Sequence, residues 1–317
     1  MRTGKFLFHE SVVRYRHSPD ELVNRYEEGI LRRVVGDGAG GLLLLEAEPA
    51  DGREGAVAEI EMRLRAPGRL PRGAAEAGER ALRHLLALDM DLEPFYKMAR
   101  RDPVLAPLVR RFRGLRPVRY LDMFEALVTA ITTQQVNLTF GGRTRARMVK
   151  RWGDRLLLGG ETHYAFPRPE RLARVRVRTL RSLQFSERKA EYVTGLAREA
   201  AAGGLDAEAL RALPIEEAVG LLTRIRGIGR WTAEQALFRA LGRVEAVPAG
   251  DLGLQKVVAR YCFGEKRVEE KRVRERARRW EPWGALAGAY LFAAWRADLP
   301  AAAGPLEGGK ARPGRAE

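Results

Sequence analysis

Hydrophobic and polar positions follow two different periods along the chain. Over roughly the first 85 residues the apolar runs are short and alternate: Phe6 to Tyr15, Leu31 to Val35, Gly41 to Glu48 and Ala56 to Arg65. In the last of these, Ile60, Met62 and Leu64 alternate with Glu59, Glu61 and Arg63, the pattern of a half-buried strand. Glycine-rich turns, Gly36-Asp-Gly-Ala-Gly-Gly and Asp51-Gly-Arg-Glu-Gly, separate the runs. Ser18-Pro-Asp-Glu-Leu carries a capping signature and predicts a short helix. Pro67 to Gly78 reads as a linker or turn. The expected product is a small antiparallel sheet with one or two helices.

From Glu79 onward the period is helical almost to the end. After Asp122 as N-cap, Phe124, Leu127, Val128 and Ile131 fall on one buried face, ending at Thr132-Thr-Gln-Gln-Val with a second cap at Asn137. Ile215 to Ile225 and Arg230 to Leu241 read as helices joined by Gly227-Ile-Gly229, the second closed by Gly242. Asp251 stands where the next helix, Leu252 to Phe263, begins, and Val268 to Arg279 reads as a solvated helix. Ala285 to Ala294 is too short to cross a membrane and reads as a buried helix.

Composition narrows the function classes. With 45% hydrophobic residues the chain can build packed cores. A single cysteine, Cys262, rules out a disulfide framework and a four-cysteine iron–sulfur cluster within the chain, and the four histidines show no metal-ligand spacing. The N-terminal stretch lacks the features of a signal peptide, and a cytoplasmic setting is expected, nucleoid-associated in a prokaryote. Lys and Arg number 57 against 41 Asp and Glu, a formal charge of +16, which points to a polyanionic partner.

The segment with most chemical content is Leu222-Thr-Arg-Ile-Arg-Gly-Ile-Gly-Arg-Trp-Thr-Ala-Glu. Two glycines bracket one apolar residue between helices, so Gly227 and Gly229 allow a tight bend while Ile228 plugs inward. The N–H groups opening the second helix suit a phosphate, with Arg226 and Arg230 adding charge. Asp251 lies at a helix start. Read alone it is an N-cap, and a capped carboxylate facing a cleft can also stabilise a developing positive charge or position a water.

Gly227-Ile-Gly-Arg-Trp-Thr-Ala followed by Val247-Pro-Ala-Gly-Asp-Leu-Gly-Leu-Gln-Lys resembles the helix-hairpin-helix, Gly/Pro…Asp DNA glycosylases, and within them the DNA-3-methyladenine glycosylase II family. Phe124-Glu-Ala-Leu-Val-Thr-Ala-Ile-Thr-Thr-Gln-Gln-Val, Arg279-Trp-Glu-Pro-Trp and Phe95-Tyr-Lys-Met-Ala-Arg-Arg-Asp-Pro-Val-Leu extend the resemblance over roughly residues 90 to 297. It implies a mainly α fold with an N-terminal α+β part: an antiparallel, TATA-binding-protein-like domain at 1–88 and a two-lobed helical domain at 89–300 with its hairpin at 225–232; the low-complexity stretch 301–317 reads on its own composition as a disordered tail. It also implies a monofunctional glycosylase that flips an alkylated purine (3-methyladenine or 7-methylguanine type) out of damaged double-stranded DNA and hydrolyses its N-glycosidic bond in base excision repair. Asp251 matches the catalytic aspartate. Trp231 matches a pocket aromatic, Phe292 or Trp295 a second one, and Gln135 the residue that fills the gap left by the flipped base. Gln134, Gly227, Ile228, Gly229, Arg230 and Thr232 are the expected DNA contacts. Arg143, Arg145 and Arg147 stand where they can meet phosphates or form a solvated face. No organic cofactor or metal is implied, beyond a monovalent cation that such hairpins can hold with backbone carbonyls. A monomer without membrane attachment or an obligate protein partner is expected.

Bifunctional relatives carry a lysine nucleophile just after the hairpin; here Trp231 stands there and no lysine lies between Lys189 and Lys256, so no lyase activity is expected. Leu252 after the aspartate, where some relatives have an aromatic residue, leaves the lesion range open, with uracil, hypoxanthine or an oxidised purine as alternatives. A reading from another class is a non-catalytic DNA-binding or damage-sensing module in which Asp251 only caps its helix.

Overall fold

A computed structural model describes residues 1–15, 18–50 and 55–299. The stretch 301–317, expected to be a disordered tail, lies outside the described residues. The N-terminal part contains β1 (Arg2–Leu7), α1 (Phe8–Val12), β2 (Arg25–Glu27), β3 (Ile30–Gly36), β4 (Leu42–Pro49), β5 (Ala56–Arg65) and α2 (Ala74–Leu85). The strands form one antiparallel sheet in the order β1-β5-β4-β3-β2. Helices follow: α3 (Glu93–Ala99), α4 (Leu105–Arg111), α5 (Met123–Thr133) and α6 (Leu138–Trp152). A hairpin of β6 (Arg155–Leu158) and β7 (Glu161–Tyr164) comes next. The remaining helices are α7 (Pro169–Ala173), α8 (Val177–Arg181), α9 (Glu187–Ala201), α10 (Ala207–Ala212), α11 (Ile215–Thr223), α12 (Arg230–Leu241), α13 (Leu252–Val258), α14 (Glu270–Arg278) and α15 (Gly284–Arg296). The fold is thus mainly α with an N-terminal α+β part, and no helix among the described residues is long and apolar enough to cross a membrane.

Strand alternation explains how the sheet sits. On β4, Leu43, Leu45 and Ala47 join the main core, whereas Leu44, with Val34 from β3, meets Leu156 and Leu158 of the β6–β7 hairpin on the opposite face. The main core is continuous from Phe6 in β1 to Leu291 in α15, so the sheet and the helices share one apolar interior. Arg33, on the core-facing side of β3 between Leu31 and Val35, forms two hydrogen bonds of 2.8 and 2.7 Å to the Glu125 carboxylate on α5. Both side chains are only 2% exposed. Burial works against the Arg33 charge, but Glu125, with smaller support from Tyr15 and Asp122, offsets it and raises the guanidinium above its ordinary value.

Four local expectations are corrected. Ser18 starts no helix: Glu21 Oε1 accepts from the Val23 and Asn24 N–H groups, its other oxygen holds Arg145 of α6, and the chain enters β2. Pro67 to Gly78 is not all linker, because α2 begins at Ala74 and Gly78 meets Leu64 so closely that a Cβ there would stand 2.7 Å from the leucine side chain. The β6–β7 hairpin interrupts the helical region, turning at Gly159 and Gly160. Helix α5 is buried on every side from Met123 to Thr132 rather than on one face, because it runs through the middle of the helical region between α6, α9 and α12.

Candidate active site and nucleic-acid interface

Helices α11 and α12 are joined by the glycine-bracketed turn. Gly227 has φ +92°, and a Cβ there would overlap the Tyr192 ring of α9, so only glycine suits this position. Ile228 is 4% exposed and its N–H donates to the Ile225 carbonyl at 3.0 Å, which closes the turn. Gly229 is the N-cap of α12, in extended backbone. Without an i−4 carbonyl, the first N–H groups of α12 are left free of helical partners and make the positive end of its dipole. Gly227→Ala is expected to destabilise the protein by about 3 kcal/mol through the left-handed backbone and the clash with Tyr192. Thermal unfolding checks this, and Tyr192→Ala in the same chain should recover part of the loss.

Several expected DNA contacts have other partners. Thr232 is 1% exposed, and its Oγ1 accepts from the Gln134 amide at 2.9 Å. Gln134 Nε2 also reaches the Gly227 carbonyl at 3.1 Å, so these two residues brace the hairpin against the end of α5. Ile228 likewise serves as an inward plug. Arg230 is held by Glu216 and by the buried Glu234, to which it donates at 2.9 Å; Arg274 binds the same Glu234. Burial raises the Glu234 carboxyl above its usual range despite these arginines. Arg143 pairs with Asp20 at 3.3 Å, Arg145 is buried against Glu21, and Arg147 bonds Gln184, so they tie α6 to its neighbours. Gln135 differs: it is exposed, has φ +53°, and forms the tip between α5 and α6. Val136, Leu138 and Phe140 are exposed beside it. At the hairpin, the Ile225 and Gly227 carbonyls each accept one N–H.

Asp251 performs the capping role its position predicts. Its Oδ1 accepts from the Leu254 N–H at 2.8 Å, opening α13. Its Oδ2 accepts from the Trp231 indole N–H at 3.2 Å, which links the carboxylate to the first turn of α12. Both residues are half-buried. A Cβ on Gly253 would stand 2.9 Å from Asp251 Oδ1 and 3.2 Å from the Phe292 ring, so carboxylate and ring flank one point that glycine keeps open. Of the two aromatic candidates on α15, Phe292 is therefore the one beside Asp251. Trp295 is 44% exposed with its ring 6.4 Å from that of Phe292. A carboxylate fixed by two donors between an indole and a phenyl ring can stabilise a cation without reorganising.

A family model described as HhH-GPD superfamily base excision DNA repair protein matches residues 128–282, which include both the hairpin and Asp251. Over 205 residues the chain is 36% identical to a DNA-3-methyladenine glycosylase of Bacillus subtilis, covering 65% of this chain and 68% of that one. The chain belongs to the HhH-GPD superfamily. The DNA-3-methyladenine glycosylase 2 of Escherichia coli is 29% identical over 58% of this chain and 63% of its own length. Among solved structures, a 3-methyladenine DNA glycosylase of Archaeoglobus fulgidus superposes with a TM-score of 0.78 at 29% identity, covering 93% of this chain and 97% of that one. A Clostridium acetobutylicum 8-oxoguanine glycosylase/lyase shares the fold, with a TM-score of 0.72 at 18% identity.

Phe292 and one further residue beside this HhH-GPD site come from outside the matched segment, and the second was not legible in the sequence. Arg14, just after α1, places its guanidinium 5.4 Å from the Phe292 ring centre, its buried Nε without a hydrogen-bond partner among the described residues. Burial, with Arg239 nearby, lowers the guanidinium well below its ordinary value, while Asp251 supports its charge. The only local signal was a cation set in the apolar run Phe6 to Tyr15.

Proposed function

We propose that the chain is a DNA glycosylase of base excision repair that removes alkylated purines such as 3-methyladenine and 7-methylguanine from duplex DNA. The observation that carries this reading is the Asp251 carboxylate, held by the Leu254 N–H and the Trp231 indole beside Phe292, next to the hairpin. The names of the Bacillus subtilis, Escherichia coli and Archaeoglobus fulgidus relatives support the same substrate class.

In this mechanism the damaged nucleotide leaves the stack, Gln135 takes its place, and the base lies against Phe292 and Trp231. Extrusion costs a few kcal/mol, less for a weakly stacked lesion, which favours damaged bases. An N-alkylated purine is already cationic and leaves without prior protonation. Its departure as a neutral base, with the electron pair of the glycosidic bond, gives the sugar oxocarbenium character, which Asp251 offsets while water adds to the anomeric carbon and gives up a proton to solvent. A cationic base is also drawn to the aromatic faces. No amine nucleophile stands after the hairpin, so the abasic product is released with its strand intact. The formal charge of +16 supplies phosphate attraction without sequence preference.

A panel of duplexes carrying 3-methyladenine, 7-methylguanine, hypoxanthine, uracil and 8-oxoguanine, followed by free-base detection, tests this. Release of the alkylated purines, with no adduct trapped by borohydride, is expected. Release of none of the five bases would leave a non-catalytic binding module, and a trapped adduct would contradict the monofunctional chemistry.

A further inference from the structure

Lys189 opens α9 in a setting that works against its charge. It lies in the first turn, at the positive end of the helix dipole, and burial lowers its ammonium below the ordinary value. No carboxylate pairs with it among the described residues. Its Nζ instead donates to the Thr132 carbonyl at 3.1 Å and the Gln134 carbonyl at 2.6 Å. Those oxygens end α5, where the dipole is negative and helical carbonyls lack partners. The very next residue is Gln135, with φ +53°, a conformation a glutamine adopts only at a cost. On the other side of the same turn, the Gln134 amide is bonded to Gly227 and Thr232. Lys189, Gln135, Tyr192, Gly227 and Gly229 line one cavity of about 390 Å³ between the tip and the hairpin.

We propose that Lys189 is a positioning residue for the duplex-opening step: by holding the last carbonyls of α5 it fixes how Gln135 projects and ties the tip to α9, whose Tyr192 ring lies against Gly227 of the hairpin. This rests on the reading of Gln135 as the residue that fills the flipped base's place. Lys189 does not touch the reacting bond. Its loss therefore slows the opening of a paired lesion and leaves cleavage of an unpaired one alone.

The test compares base release from a methylated duplex with release from the same methylated strand without its complement. Lys189→Met is expected to lower kcat/KM on the duplex about tenfold and to change the single-strand value by less than about twofold. Lys189→Arg, which keeps a donor for the carbonyls, should recover most of the duplex activity. The Lys189→Met, Gln135→Ala double variant should be no slower than Gln135→Ala alone, because both act on one step. A 2-aminopurine beside the lesion should brighten less in the Lys189→Met complex than in the wild-type complex. If Lys189→Met cannot be purified folded, Lys189→Gln should fall between the wild type and Gln135→Ala on the duplex and match the wild type on the single strand. Equal losses on both substrates, or multiplicative losses in the double variant, would overturn the proposal while leaving the glycosylase reading intact. A wild type inactive on both substrates would instead overturn that reading.

Discussion

Asp251→Asn is expected to lose about a thousandfold in base release while still binding DNA, the cost of removing one preorganised charge from a transition state. The substitution separates the two roles of the residue. Asparagine caps helices as well as aspartate does, so the Leu254 N–H keeps its partner and α13 keeps its start. The Trp231 indole then faces the amide nitrogen and loses its acceptor, because the one remaining oxygen is on the Leu254 N–H. What disappears is the negative charge, together with that one half-buried hydrogen bond. Single-turnover release from methylated duplex, measured beside equilibrium DNA binding and thermal unfolding, distinguishes the outcomes. A large rate loss with unchanged binding and stability assigns the charge to chemistry. A stability loss with undiminished release would make Asp251 a cap and nothing more.

The second large effect concerns stability. Glu125→Ala is expected to cost about 4 kcal/mol, because it removes the carboxylate paired with the buried Arg33 guanidinium and leaves it the Asn24 side-chain oxygen and the more distant charge of Asp122. The pair joins the sheet to α5, and α5 carries the Gln134–Gln135 tip at its end. Loss of the pair should therefore also depress activity. The double variant Arg33→Met, Glu125→Leu should be far more stable than Glu125→Ala, since an apolar pair of similar volume removes the stranded charge. Urea unfolding of the three proteins measures both effects. A Glu125→Ala chain as stable as the wild type would mean that water reaches Arg33 and the pair is not buried in solution.

What could be read from the sequence depended on how local its cause was. The caps at Asp122, Asn137 and Asp251 act within three residues, and each appears where its position implied. The bend at Gly227 and the stop at Gly242 depend on backbone freedom at single positions, with φ +92° and +72°. Features set by distant partners were misread or missed. Leu156 and Leu158 form a strand because Val34 and Leu44 wait on the far face of the sheet, and nothing near residue 156 says so. Ser18 looks like a cap until Glu21 is drawn to Arg145, more than 100 residues away. The same holds at the candidate site. The hairpin and the aspartate were legible, whereas the Gln134 brace, the Arg14 guanidinium over Phe292 and the choice of Phe292 beside Asp251 depend on which helices meet.

The claim on which the account rests is that Asp251 stabilises positive charge on the sugar. Its most direct test is the affinity for two duplexes that differ in one residue, a cationic pyrrolidine or a neutral tetrahydrofuran in place of the lesion's sugar. A catalyst binds the mimic of its transition state more tightly than an uncharged analogue. The wild type should prefer the pyrrolidine by about a hundredfold or more, and Asp251→Asn should lose most of that preference. Equal affinities in the wild type, or the same preference in both proteins, would contradict the account.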